Sequence, residues 1–161
     1  MEGNSYYKDI KIENYWLAVR GDVLEGMAGV WDQKSFKQTR LVQYPKGLSW
    51  LRHLYNAWTF LFGGMRLPAA GGVINYCTLH TVVTRGDQAN VLAAILEPIA
   101  RIARRSRVAG VCALFSNDPM RESMKKFHTQ TLDSKHFLMS FDEDPREDLD
   151  DRIPYVEVAR L

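Results

Sequence analysis

The chain has 161 residues and a mass of 18.5 kDa, enough to bury one sizeable core without a disulfide or metal staple. A hydrophobic fraction of 46% and a charged fraction of 25% exclude a disordered chain and a collagen-like repeat, and two cysteines are too few for a disulfide scaffold. The most apolar stretch, Ala57 to Met65, is cut by Gly63-Gly64 and falls far short of a membrane span.

The polar start Met1-Glu2-Gly3-Asn4-Ser5 has no basic-then-apolar leader pattern, and residues 1–14 carry little definition of their own. Cys77 and Cys112 sit in apolar runs, where a free thiol behaves as a small hydrophobe. A reduced, cytoplasmic setting without a membrane partner is the expectation. Net charge is only +2, but it is unevenly spread. Residues 101–126 hold seven basic and two acidic residues, and residues 142–152 hold seven acidic and two basic ones. The basic set at Arg101, Arg104, Arg105 and Arg107 suits the negative end of a helix. It lacks the interleaved aromatics that nucleic-acid binding wants, so no nucleic-acid partner is expected. A polyanionic small ligand is the other reading of that cluster.

Along the chain, 15–20 and 23–30 read as a hairpin turning at Gly21-Asp22. Gly29 allows a bulge or a close backbone approach. The strand pattern continues through Trp31 and Phe36 to 39–44, and Pro45-Lys46-Gly47 ends it. Residues 48–62 carry apolar residues at helical spacing up to Gly63-Gly64. A strand is predicted over 73–84, with Tyr76, Thr78, His80 and Val82 on one side and Cys77, Leu79, Thr81 and Val83 on the other. Asp87 is the expected N-cap of a helix over 88–105, kinked at Pro98. A buried strand over 108–115 follows, then a short helix opened by Pro119, then strands over 136–141 and 153–160 around an acidic loop. The unit over 73–115 is a right-handed parallel crossover. The fold class is therefore α/β, of the α+β kind: one domain with a mixed twisted sheet, a central β-α-β unit and flanking helices.

This order of elements resembles the GNAT superfamily of N-acetyltransferases. The stretch Val30-Trp31-Asp32-Gln33-Lys34-Ser35-Phe36-Lys37-Gln38-Thr39-Arg40 is similar to a motif of bacterial tandem GNAT-like proteins. Asn117-Asp118-Pro119-Met120 and Asp151-Arg152-Ile153-Pro154-Tyr155-Val156-Glu157-Val158 resemble segments of their C-terminal half. The resemblance implies acetyl-CoA as cofactor, an amine as acceptor, and a partner in the form of an N-terminal domain or a second copy.

In the family, the loop after the central strand binds the pyrophosphate with an Arg-x-x-Gly-x-Gly/Ala pattern. Bare N–H groups and a helix N-terminus make that chemistry possible. The matching residues here are Val82, Thr84, Arg85, Gly86, Gln88, Ala89 and Asn90, with Asn117 on the next loop. The spacing departs from the pattern, and Asp87 brings a carboxylate where phosphates would sit. Acyl transfer also needs a proton acceptor, and usually an acid for the leaving thiolate. The family often supplies a Tyr for the second task, but residues 119–128 contain none, and His128 stands near that place.

His80, on the central strand, reads either as a general base or as a hydrogen-bonded structural histidine, the commoner case. His128 reads either as the thiolate acid or as a solvated helix end. Glu25 and Glu157 read as outward strand carboxylates, Glu25 also as a base. Trp31, Gln33 and Gln38, with Asp32, would line a substrate cleft or else bond a frayed strand edge. His53 has no partner at metal-ligand spacing, and no zinc pattern is present. Two functions stand: an acyl-CoA-dependent N-acyltransferase, or a non-catalytic GNAT-like half that completes a cleft or a dimer and leaves an apolar edge exposed.

Overall fold

The computed structural model describes residues 8–135 and Phe141. The strands expected over 136–141 and 153–160, the acidic loop between them and Glu157 lie outside the described residues, Phe141 apart. Within these residues the protein is a mixed α/β fold, a four-stranded mixed sheet with helices. The strands are β1 (Tyr15–Arg20), β2 (Val23–Trp31), β3 (Tyr76–Thr84) and β4 (Ala109–Val111), in that spatial order. The helices are α1 (Leu51–Phe62), α2 (Ala89–Ser106) and a 3-10 helix at Pro119–Lys126.

β1 and β2 form the expected hairpin, with Gly21 at a φ of 59° taking the first corner, as a type II′ turn requires. β2 pairs antiparallel with β3, and β3 pairs parallel with β4 after the α2 crossover. The core lies on one face of the sheet under α2. Ala28, Leu79 and Val82 meet Val91, Leu92, Ile95, Leu96 and Ile99 there, with Met120 closing one end. α2 runs on through Pro98, and the pattern at 91, 92, 95 and 99 is its buried face. Asp118 caps the 3-10 helix by accepting from Met120 N at 2.8 Å.

Four expectations are corrected. The buried strand expected over 108–115 is only Ala109–Val111, and none of its residues is buried, because it pairs with β3 alone among the described residues and lies at the sheet edge. The stretch 39–44 is not a strand; it makes a single bridge, Arg40 to Val73. The chain turns away before it, because Phe36 N and Lys37 N both donate to Gln33 O. The two sides of β3 do not alternate strictly. Met27 pairs with Val83 and Gly29 with His80, so two residues of β3 oppose one of β2, and Thr81 has a φ of 52°. This bulge puts Val82 with Leu79 in the core and leaves His80 on the opposite face. Asp87 is not the N-cap of α2. It adopts a φ of 51° in the turn, and Gln88 takes the cap position without a side-chain bond.

Candidate functional site

On the sheet face away from α2, His80 stands at the centre of an aromatic cluster. It is 2% exposed. Its Nε2 lies 2.6 Å from the Tyr15 hydroxyl and its Nδ1 2.7 Å from Thr81 Oγ1. The Tyr15 ring meets the imidazole edge-on at 5.3 Å between centroids, and Trp31 lies 5.7 Å away. The Phe36 ring packs against Trp31 at 5.7 Å between centroids, and Trp31 Nε1 donates to Lys8 O at 2.9 Å. Backbone makes this closeness possible. A Cβ on Gly29 would come within 2.6 Å of His80 Cδ2, so only glycine at this position lets the ring lie over β2. The close backbone approach expected at Gly29 is therefore present.

The Tyr15–His80–Thr81 chain joins a half-exposed phenol to a buried imidazole. With the phenol donating to Nε2, and Nδ1–H donating to Thr81 Oγ1, every polar atom of the ring is satisfied. Such a chain can take a proton at the Tyr15 oxygen and hold the charge on the imidazole. Cys77, three residues before His80, is buried; desolvation pushes its thiol up, and the Asp32 carboxylate adds to the effect. It is a packing thiol, not a nucleophile.

The second part of the site is the far end of β3. Parallel pairing is confined to Tyr76–Thr78 with Ala109–Val111, while β3 continues to Thr84. A tight turn follows, with Asp87 N donating to Thr84 O at 3.3 Å and Gly86 at a φ of 66°. Arg85 N is tied to Glu25 O at 2.7 Å, and the Arg85 side chain is exposed. α2 opens with Ala89, Asn90 and Val91, whose N–H groups receive no side-chain cap from Gln88. Thr84 Oγ1 lies 3.5 Å from Met120 Sδ, which joins this turn to the 3-10 helix.

The structure brings some of the expected residues together and separates others. Trp31 and His80 are neighbours. Gln33 is buried close behind Trp31, whereas Gln38 is exposed and bonds Lys34 O and Arg40. Thr84, Arg85, Gly86, Gln88, Ala89 and Asn90 form one continuous turn and helix start, but the Val82 side chain points into the core. Asn117 is exposed, immediately before the Asp118 cap. His128 is exposed one residue beyond Phe127, which packs on the α2 core, so His80 lies across the sheet from it. Glu25 gives the Arg85 turn a carbonyl.

Neither Tyr15 nor Thr81 is singled out by the sequence pattern. Strict alternation puts Thr81 on the face away from His80, whereas its Oγ1 lies 2.7 Å from His80 Nδ1. A uniform hairpin register from Arg20–Val23 would place Tyr15 opposite Ala28. The irregularity between Ala18 and Val19 moves it opposite Gly29 and so onto His80. Among the described residues no group of three or more His, Cys, Asp or Glu could hold a metal ion. Comparison with protein-family models, with curated proteins and with solved structures finds no match.

Proposed function

We propose that this chain is a GNAT-like domain that binds acyl-CoA and transfers the acyl group, acetyl in the simplest case, to an amine. The observation that supports it best is the end of β3. The strand bulges, outlasts its parallel neighbour, and turns tightly into a long helix whose first donors carry no side-chain cap. An anion there meets several N–H groups and the positive end of the helix dipole. Arg85 adds a guanidinium beside it. Asp87 opposes the anion by its charge but does not consume a helix donor, because it is not the cap.

In the transfer, the amine nitrogen attacks the thioester carbonyl. A C–N bond forms, the C–S bond breaks, and the amine proton leaves while the CoA thiolate gains one. Tyr15 is the group placed to receive the amine proton, since its ring is half-exposed and His80 is enclosed. His80 is then a positioning residue that takes the charge through the 2.6 Å contact. An extended strand covers about 3.3 Å per residue, so the turn at Thr84 starts at most roughly 13 Å beyond His80 and closer because of the bulge at Thr81, within reach of the pantetheine arm of CoA.

The enclosure of His80, with both ring nitrogens engaged, favours a second reading: a non-catalytic half that binds without turnover. Calorimetric titration with acetyl-CoA, with CoA and acetate as controls, separates the two. Binding near micromolar strength, ~−8 kcal/mol, weakened about tenfold by Arg85→Ala, supports the acyl-CoA site. Amine-dependent release of CoA thiol that is lost in Tyr15→Phe supports catalysis. Binding without turnover over a range of amines supports the second reading. No heat at millimolar acetyl-CoA contradicts the acyl-CoA site.

A further inference from the structure

The sheet has two edges among the described residues, and they are not alike. β4 is three residues long, a short edge of the kind that resists pairing. β1 is six residues long and pairs with β2 alone among the described residues. It holds no Pro and no Lys, and its one charge, Arg20, stands at its last position. The residues that usually blunt a strand edge are therefore missing from β1.

β1 alternates cleanly. Trp16 and Ala18 pack against the core under α2. Tyr15, Leu17 and Val19 share the other face, with Leu17 at 58% and Val19 at 59% exposure. The register carries this apolar face inward: Leu17 lies opposite Met27, Met27 opposite Val83, and Val19 opposite Leu24. Leu24 and Val83 are exposed as well. No helix among the described residues is long and apolar enough to cross a membrane, and lipid offers a strand edge no hydrogen bonds. What such an edge accepts is another strand.

We propose that this strand is β1 of a second copy of the chain, paired antiparallel about a two-fold axis at Leu17, so that the two sheets become one continuous sheet. Self-complementarity selects this occupant. Residues directly opposite each other in an antiparallel pair share a face, so an odd-numbered residue of β1 must meet an odd-numbered one. With the axis at Leu17, Leu17 meets the partner's Leu17, Tyr15 meets the partner's Val19 and Trp16 meets the partner's Ala18. Each aromatic ring then lies against a small or β-branched side chain. Arg20 falls beyond the paired residues, level with the partner's Asn14, so no like charges are opposed. An axis at Ala18 would instead drop Tyr15 from the ladder. The apolar row Val83–Met27–Leu17 runs on across the axis into its copy. The contact also adds a wall to the candidate site, because the partner's Val19 stands beside the Tyr15 ring whose hydroxyl meets His80. The pairing does not depend on the acyl-CoA reading. One short strand is a small contact, so the dimer should form with rising concentration rather than be permanent.

The test is sedimentation equilibrium of the full chain over a range of concentrations, where the mean mass should climb from monomer towards dimer. Leu17→Lys sets two ammonium groups face to face and should weaken self-association at least about tenfold. Circular dichroism should stay unchanged, because Leu17 is exposed. Mixing the Leu17→Lys chain with a Leu17→Glu chain should restore the dimer, which a folding defect would not allow. Under mild copper-phenanthroline oxidation, Leu17→Cys should give a disulfide-linked dimer, and Val19→Cys, which meets the partner's Tyr15, far less. The parent chain, with Cys77 buried and Cys112 half-buried, is the baseline. A parent chain that stays monomeric at millimolar concentration would overturn the proposal and leave the edge to some other strand. So would a dimer that Leu17→Lys leaves intact, or equal cross-linking at both positions.

Discussion

The two long helices have the same kind of sequence pattern and opposite placements. α2 turns Val91, Leu92, Ile95, Leu96 and Ile99 onto the sheet and leaves Arg101, Arg104 and Arg105 outside. α1 turns its polar residues inward and leaves Trp58, Leu61 and Phe62 outside. Hydrophobic periodicity states that a helix has an apolar face. It does not state what covers that face. For α2 the cover is the sheet that precedes it in the crossover; for α1 the short return through Gly63-Gly64 brings the Leu67 backbone onto the Asn56 side chain, and two side chain–backbone hydrogen bonds hold the polar side instead.

The largest expected effect that sharpens this contrast is a pair of leucine truncations. Leu92→Ala, at 0% exposure, should cost about 3–5 kcal/mol in urea unfolding. Leu61→Ala on α1 should stay within about 0.5 kcal/mol of the parent. Equal costs would break the comparison and show that α1 has a packed partner within the chain. Gly29→Ala comes next. Its Cβ meets the His80 ring and the Tyr15 ring, so overpacking should cost about 1–3 kcal/mol by the same assay.

Tyr15→Phe removes the bond to buried His80 and should destabilise by about 1–2 kcal/mol, with the effect measured by thermal melting. Asn56→Ala should cost a similar amount, about 1–2 kcal/mol, because it frees both backbone groups of Leu67. That loss would mark the polar side of α1 as its attachment. The smallest effect concerns the thiols. The Cys77 thiol is raised above its usual value, so the folded state holds that proton more tightly than the unfolded one. Stability from this group is full below the unfolded thiol pKa and declines as pH rises through it, above about 9. At neutral pH, Cys77 should react with iodoacetamide more slowly than half-buried Cys112, as peptide mapping would report.

Much of the framework was legible in the residues. The Gly21-Asp22 hairpin, the helices ending near Phe62 and Ser106, the parallel crossover and the Pro119 helix start all follow from turn chemistry and period. Two features were not legible for one reason. Bulges at Glu25 of β2, opposite Ala18 and Val19, and at Thr81 of β3 add single residues to a period-2 pattern, and each flips what lies beyond it. Neither Glu25, a half-buried carboxylate on the hairpin, nor Thr81, a β-branched residue that fits either face, signals this. The strand expected over 39–44 failed differently: the Gln33 carbonyl captures two following N–H groups, and the chain leaves the sheet before those residues arrive. The Asp87 cap failed because the turn ends in a left-handed residue, which moves the helix start past it.

The central claim is that the turn after β3 and the start of α2 hold the anionic part of acyl-CoA. A residue-resolved NMR titration of the amide groups with acetyl-CoA tests it most directly. The account predicts saturable shifts concentrated at Gly86, Ala89, Asn90 and Val91, with smaller ones near Tyr15 and His80. Unmoved amides there at millimolar acetyl-CoA, or shifts gathered on α1 instead, would contradict it.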